Sequence, residues 1–186
     1  EILDIFSSIY TNKSQNSRHR LEHCLLLDLP SIKRMKDLNI HPSFHINHLY
    51  YYGDVLSKKI IGKIRTEKML PIKIAEENSL IFSLHADQPM FESKPLSLLH
   101  TAVNRKTKNG MIIGEENSIS VISGLKSLTI NSAWQIKMDD KIGSVKVGKY
   151  ADLVILDKNP LKVPIEEIKN INVVETIVNG RTIFHK

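Results

Sequence analysis

Three short strand-like runs, HRLEHC (19–24), IHPSFHI (40–46) and LIFSLHAD (80–87), alternate with stretches of helical periodicity. That alternation constrains the fold more than any other feature of the chain. Ahead of the first run, Ile2, Ile5, Phe6 and Ile9 fall on one helical face. The polar stretch TNKSQNS (11–17) then reads as a loop. Asp28, Pro30 and Ser31 open a second helix, which carries Ile32, Met35 and Leu38 on its buried side and stops at Asn39. The second run leads into NHLYYYGD (47–54), and a helix around Glu67 to Asn78 delivers the chain to the third. Helix then strand, three times over, predicts parallel strands joined by crossover helices, in either a barrel or an open doubly wound sheet. In both architectures functional groups gather at the carboxyl ends of the strands.

Beyond Pro89 the pattern changes. Leu96 to Arg105 reads as a helix, and Ser120 caps another that runs to about Trp134. From Gly143 the chain turns to short β segments, ADLVILD and INVVETIVNGRTIFH, with Asn179-Gly180 in the position of a two-residue hairpin turn. The expected boundary lies near Asp140, with an α/β part at 1–140 and a small β part at 141–186.

Composition narrows the function classes. Among 186 residues, 41% apolar and 25% charged describe a globular chain with ample core material. The net charge is +6, but the lysines are scattered and no basic stripe is interleaved with aromatics, which argues against nucleic acid as partner. No apolar run approaches the roughly 20 residues that span a bilayer, and no signal peptide is visible, so no membrane partner is expected. The single cysteine, Cys24, cannot close an internal disulfide, which points to a reducing, cytoplasmic setting. The first residue is Glu rather than Met, as in a processed chain, a cloned domain or a piece of something longer.

The strand ends carry the chemistry. His23 closes the first, Asn47 and His48 follow the second, and His85 and Asp87 close the third. On neighbouring parallel strands these groups converge on one rim. Imidazole and carboxylate both suit Zn²⁺, and a carboxylate beside a metal can serve as general base. Plainer roles exist for each: a strand-end histidine is commonly a hydrogen-bonded surface or core group, and Asp87 before Gln-Pro can initiate a turn. His41 and His45 share a strand face and His48 does not, a spacing that matches no compact zinc motif. Tyr50 to Tyr52 line a substrate wall or pack at the rim. Glu22 pairs with an arginine such as Arg20 or supports a ligand from behind.

Taken together, HRLEHC, NHLYYYGD and LHADQP, in that order and at those separations, resemble the amidohydrolase superfamily, and within it the YtcJ-like branch (the third amidohydrolase subfamily). The segments 98–134, GSVKVGKYADLVILDKNPLKVP and VVETIVNGRTIF agree, so the resemblance covers nearly the whole chain. It implies an α/β fold, the C-terminal part of a metal-dependent-hydrolase (β/α)₈ barrel (about strands 6 to 8) followed by a small β-sandwich segment. It implies a divalent metal, zinc above all, and hydrolysis of a C–N bond in a small amide-like molecule. By resemblance His23 is the metal-binding histidine of the sixth strand. Asp87 is the eighth-strand aspartate that binds metal and takes the proton from the attacking water. Asn47, His48 and Tyr51 shape the substrate pocket after the seventh strand, with His85 and Glu22 in support. Ala86 stands where the family motif usually has Ser.

The family's first-strand His-x-His, its fourth-strand bridging ligand and its fifth-strand histidine have no counterpart in this sequence. A missing N-terminal segment, or a second copy of the chain, would then complete the barrel. Two classes of function follow: a hydrolase portion active only in the assembled site, or a non-catalytic remnant serving as an oligomeric or interaction module.

Overall fold

The computed structural model describes residues 1–10 and 17–186. The loop expected over 11–17 therefore lies, except for Ser17, outside the described residues. Helix α1 (Ile2–Ile9) packs on α2 (Leu29–Asp37), and an Arg34 to Asp4 ion pair of 2.6 Å joins them. As the sequence predicts, Asp28 caps α2: its carboxylate accepts the Ser31 amide at 2.9 Å, and Pro30 sits in the first turn, where no donor is needed.

The alternation predicted from the sequence is present. Strands β1 (His19–His23), β2 (Ile40–His45) and β3 (Ser83–His85) form a parallel sheet in that order. All of β2 is buried, as befits a central strand, whereas β1 lies at an edge. Partners in a parallel ladder point to the same face. Ile40, Phe44 and Leu84 therefore pack outward with Ile32 and Met35 of α2 in the main core, where all but Leu84 are fully buried. The opposite face carries Arg20 beside His41, Glu22 beside Ser43 and Ser83, and His45 beside His85.

Pro42 is unusual inside a central strand because it cannot donate to the ladder. Its carbonyl lies where pairing with β3 has not yet begun. The amide of Gln135 donates to both Pro42 O and Ile81 O at 3.0 Å, and accepts the Ser83 hydroxyl at 2.6 Å.

Between β2 and β3 the chain makes a longer excursion than the sequence predicts. Two π-helical turns, His48–Tyr52 and Leu56–Ile60, flank the short α3 (Gly53–Val55), followed by α4 (Lys63–Glu67) and α5 (Ile72–Glu77). The single helix expected from Glu67 to Asn78 is broken at 68–71. Pro71 disfavours helical backbone in the residue before it, and Leu70 takes φ +50°. The bend is secured by Arg105, a fully buried side chain whose guanidinium donates to Met69 O, Leu70 O and Ile113 O at 2.8–3.1 Å.

Helix α6 (Pro95–Asn104) ends one residue before the expected Arg105. The helix capped by Ser120 is two pieces, α7 (Val121–Leu128) and α8 (Ile130–Gln135), because Thr129 leaves helical geometry at φ −126°, ψ −96°. That break lets Asn131 reach Phe82 O at 3.1 Å and Gln135 reach the strands. The tail forms an antiparallel sheet of β4 (Leu153–Leu156), β5 (Val173–Val178) and β6 (Arg181–His185). As predicted, Asn179-Gly180 makes the hairpin turn, with φ +49° and +76°, values that a primed turn requires. Asn104 anchors this region by donating to Ile165 O at 2.9 Å.

Candidate metal centre

Two of the groups singled out from the sequence meet across the sheet. His23 Nε2 lies 3.3 Å from Asp87 Oδ2, though they close β1 and follow β3, the two strands on either side of β2. The ladder alone would not bring them together, since the register partner of His23 is Phe44, which faces the opposite core. The backbone makes the difference. His23 and Asp87 both adopt left-handed φ, +67° and +58°, conformations that cost non-glycine residues energy and that cluster at functional sites. The rings of His23, His45, His48 and His85 gather at centroid separations of 4.1–6.1 Å.

His45 was set aside in sequence because its spacing from His41 and His48 fits no compact motif. In the fold it offers a ligand atom within 4.8 Å of those of His23 and Asp87, and these three form the only such metal-ligating group among the described residues. Its side chain is fully buried and neither ring nitrogen has a hydrogen-bond partner. His41, on the same strand face, stays apart: its ring stands edge-on to Trp134 and bonds to Asn39 and to the Ile81 amide.

The electrostatics suit metal binding. Its hydrogen bond with His23, reinforced by the neighbouring histidines, holds the Asp87 carboxyl below the ordinary range, so it is ionised at neutral pH. Burial pushes the His45 imidazole down to about 4, and lowers His48 and His85 too, keeping these rings neutral with lone pairs free. Burial raises Glu22, but its bonds with Arg20 (2.8 Å) and Ser43 outweigh that and leave it below its usual value. Glu22 thus pairs with Arg20, as the sequence suggested, and its second oxygen lies 3.9 Å from His85 Nε2. Cys24 offers no thiolate: burial pushes its thiol up to about 12.

The remaining candidates divide. Asn47 is buried and donates to Ala86 O at 3.5 Å, tying the tip of β2 to the turn that carries Asp87. His48 stands edge-on against His45, with a buried Nδ1 that has no partner. Tyr51 is stacked on Phe91 at 4.6 Å and 11°, and Phe91 also touches Tyr52 and His45, so an aromatic wall rises beside the histidines. Phe91 gave no signal in sequence. It lies just past the apolar run, and only the turn after Asp87 folds it back.

A cleft of about 350 Å³ opens beside His23 and Asp87, lined further by Arg20, Glu22, Ser43, Ser83 and His85. A larger one, about 780 Å³, lies between Leu26–Leu29 and the Arg65–Glu77 region and contains no histidine. No helix of the described residues is long and apolar enough to cross a membrane.

Known proteins resemble this chain in sequence and in fold. The chain is 25% identical over 179 residues to the N-substituted formamide deformylase of Arthrobacter pascens, covering 96% of this chain and 33% of that protein. It is 25% identical over 190 residues to the putative amidohydrolase YtcJ of Bacillus subtilis, covering 98% and 35%. The chain thus spans about a third of the length of these relatives. Among solved structures, an uncharacterized metal-dependent hydrolase from Pyrococcus horikoshii matches with a TM-score of 0.73 at 23% identity, over 88% of this chain and 32% of that one. An adenosine deaminase from Xanthomonas campestris with bound zinc matches with 0.63 at 17% identity, over 91% and 38%. The family model described as the amidohydrolase family matches residues 1–184. With that match over nearly its full length, the chain belongs to the amidohydrolase family.

Proposed function

We propose that this chain is the carboxyl-terminal portion of a metal-dependent hydrolase that cleaves a C–N bond in a small amide-like molecule. In this reading β1, β2 and β3 are the sixth to eighth strands of a (β/α)₈ barrel within residues 1–140, and 141–186 contribute to a β-sandwich. The observation that carries the reading is the 3.3 Å approach of His23 to Asp87, two strand-tip groups set by left-handed backbone beside a cleft.

His23 and Asp87 would hold the ion, zinc being the choice that imidazole and carboxylate favour. A divalent ion there supplies Lewis acidity, polarising the amide carbonyl and making water easier to deprotonate. Asp87, ionised at neutral pH, takes the proton of the attacking water. Asn47 keeps the Asp87 turn in place through Ala86 O, and the Glu22 carboxylate places a negative charge 3.9 Å from His85. His48 and Tyr51, with Phe91, present a largely flat and apolar wall to the substrate.

The formamide named for the relative from Arthrobacter pascens gives the first compounds to assay. With zinc present, N-substituted formamides and simple amides should be turned over by the protein carrying its complete barrel. Asp87→Asn should lower kcat/KM by roughly 100-fold or more, the usual contribution of a general base. Unchanged turnover would overturn the assignment.

A second reading, a non-catalytic module that associates with another chain, is favoured by the tail sheet. There Val154 and Phe184 are exposed on one face and Ile155 on the other, apolar groups of the kind that mark interaction sites. A single species of monomeric mass in solution, together with turnover, would count against it.

A further inference from the structure

The resemblance to the family puts no metal ligand on the strand that carries His45, and the reading above uses only His23 and Asp87. We propose that His45 is a further ligand, so that this chain by itself holds one divalent transition-metal ion between His23, His45 and Asp87. The inference rests on the metal-dependent reading of the same site and adds a residue to it.

Distance argues first. Ligands in a tetrahedral site with bonds near 2.0–2.1 Å stand roughly 3.3 Å apart. The His23–Asp87 edge has that length already, and the ligand atoms of all three residues lie within 4.8 Å of one another. Closing the His45 edges to that length falls to the exposed side chains of His23 and Asp87.

Burial argues second. His45 is fully buried with both ring nitrogens unpartnered, whereas buried polar atoms elsewhere in folded chains almost always find a partner. A bond to an ion gives one nitrogen the partner that the protein withholds.

Rigidity argues third. His85, the register partner of His45, stacks on it at 5.1 Å and 23°, and His48 meets it edge-on at 4.1 Å. The ring is held in place before any ion arrives. His23 and Asp87 are 46% and 37% exposed, so an ion enters from their side and His45 closes the buried one. Two imidazoles and one carboxylate select zinc, cobalt or nickel over magnesium or calcium, which prefer oxygen ligands.

The test is a titration of the chelator-stripped chain with Co²⁺, followed by its visible absorption and by elemental analysis of the bound metal. One equivalent should bind, with the intense bands of a low-coordinate site. His45→Phe keeps a buried ring and removes both nitrogens; His45→Gln is a second variant should the first fail to melt cooperatively. Each should weaken binding by more than the roughly 10- to 100-fold expected of an outer-shell partner, a range into which His85→Phe should fall. Binding by the folded His45 variants within threefold of the wild type overturns the proposal. If His23→Asn and Asp87→Asn abolish binding while the His45 variants do not, only the role of His45 falls and the hydrolase reading stands. If none of the His23, His45 and Asp87 variants changes binding, the metal site itself is refuted. If the unaltered chain binds no cobalt, the claim that it holds an ion alone is refuted, and the hydrolase reading is decided by the Asp87→Asn turnover assay.

Discussion

Replacing Arg105 with Met should destabilise the protein by about 1–6 kcal/mol, although it removes a charge from the interior. Burial pushes the folded-state pKa of this guanidinium from 12.5 down to about 10. At about 1.4 kcal/mol per pH unit, that cost is about 3.5 kcal/mol. Against it stand three bonds, to Met69 O, Leu70 O and Ile113 O, each worth about 1.5–3 kcal/mol for a charged donor. The bonds win, and without them Met69 O and Ile113 O lose this donor, while Leu70 O keeps the Ile72 amide at 2.8 Å. At 2–4 °C per kcal/mol for a chain of this size, Tm should fall by roughly 2–20 °C. Thermal melts by circular dichroism measure it. Arg105→Lys should fall in between, since an ammonium cannot span three carbonyls that a planar fork reaches at once. If Arg105→Met melts within two degrees of the wild type, burial and bonding cancel, and the account of the bend is wrong.

Other expectations are smaller. Ser120→Ala removes the oxygen that accepts the Ser123 amide at 3.1 Å and should cost about 1 kcal/mol in a chemical melt. Gln135→Leu preserves volume but leaves Pro42 O and Ile81 O unpaired; a loss of about 2–3 kcal/mol is expected, and a neutral result would mean that water replaces the amide. Stability should also fall with acid. Burial pushes His41 from 6.5 to about 4, and its Nδ1 accepts the Ile81 amide, so the folded state disfavours the second proton. The unfolded chain binds that proton first, so this contribution is complete above pH 6.5 and is lost as pH falls towards 4, by about 3 kcal/mol at most. His45, shifted the same way to about 4, adds to the slope. Melts of metal-free protein from pH 7 to 4 that stay level would contradict this.

Much of the sheet was legible because its signals are local. Each run is too short for a helix and ends on polar groups, and the Asp28, Ser120 and Asn179-Gly180 signals act within a few residues of themselves. The excursion between β2 and β3 was not legible. Its shape depends on Arg105 gripping carbonyls 35 and 36 residues away, a contact that no periodicity announces. The same division holds at the site. His23 and Asp87 end their runs and so stand out in sequence. His45 sits inside an apolar run and resembles a core histidine until the register places His85 beside it and left-handed backbone swings His23 towards it.

The most direct measurement is a crystal of the protein grown or soaked with zinc and examined by anomalous diffraction at the zinc edge. The account predicts one strong peak within about 2.2 Å of both His23 Nε2 and an Asp87 carboxylate oxygen, in the cleft at the strand tips. A fully loaded crystal with no peak there, or with its strongest peak at His41 or in the larger cleft near Arg65, would contradict it.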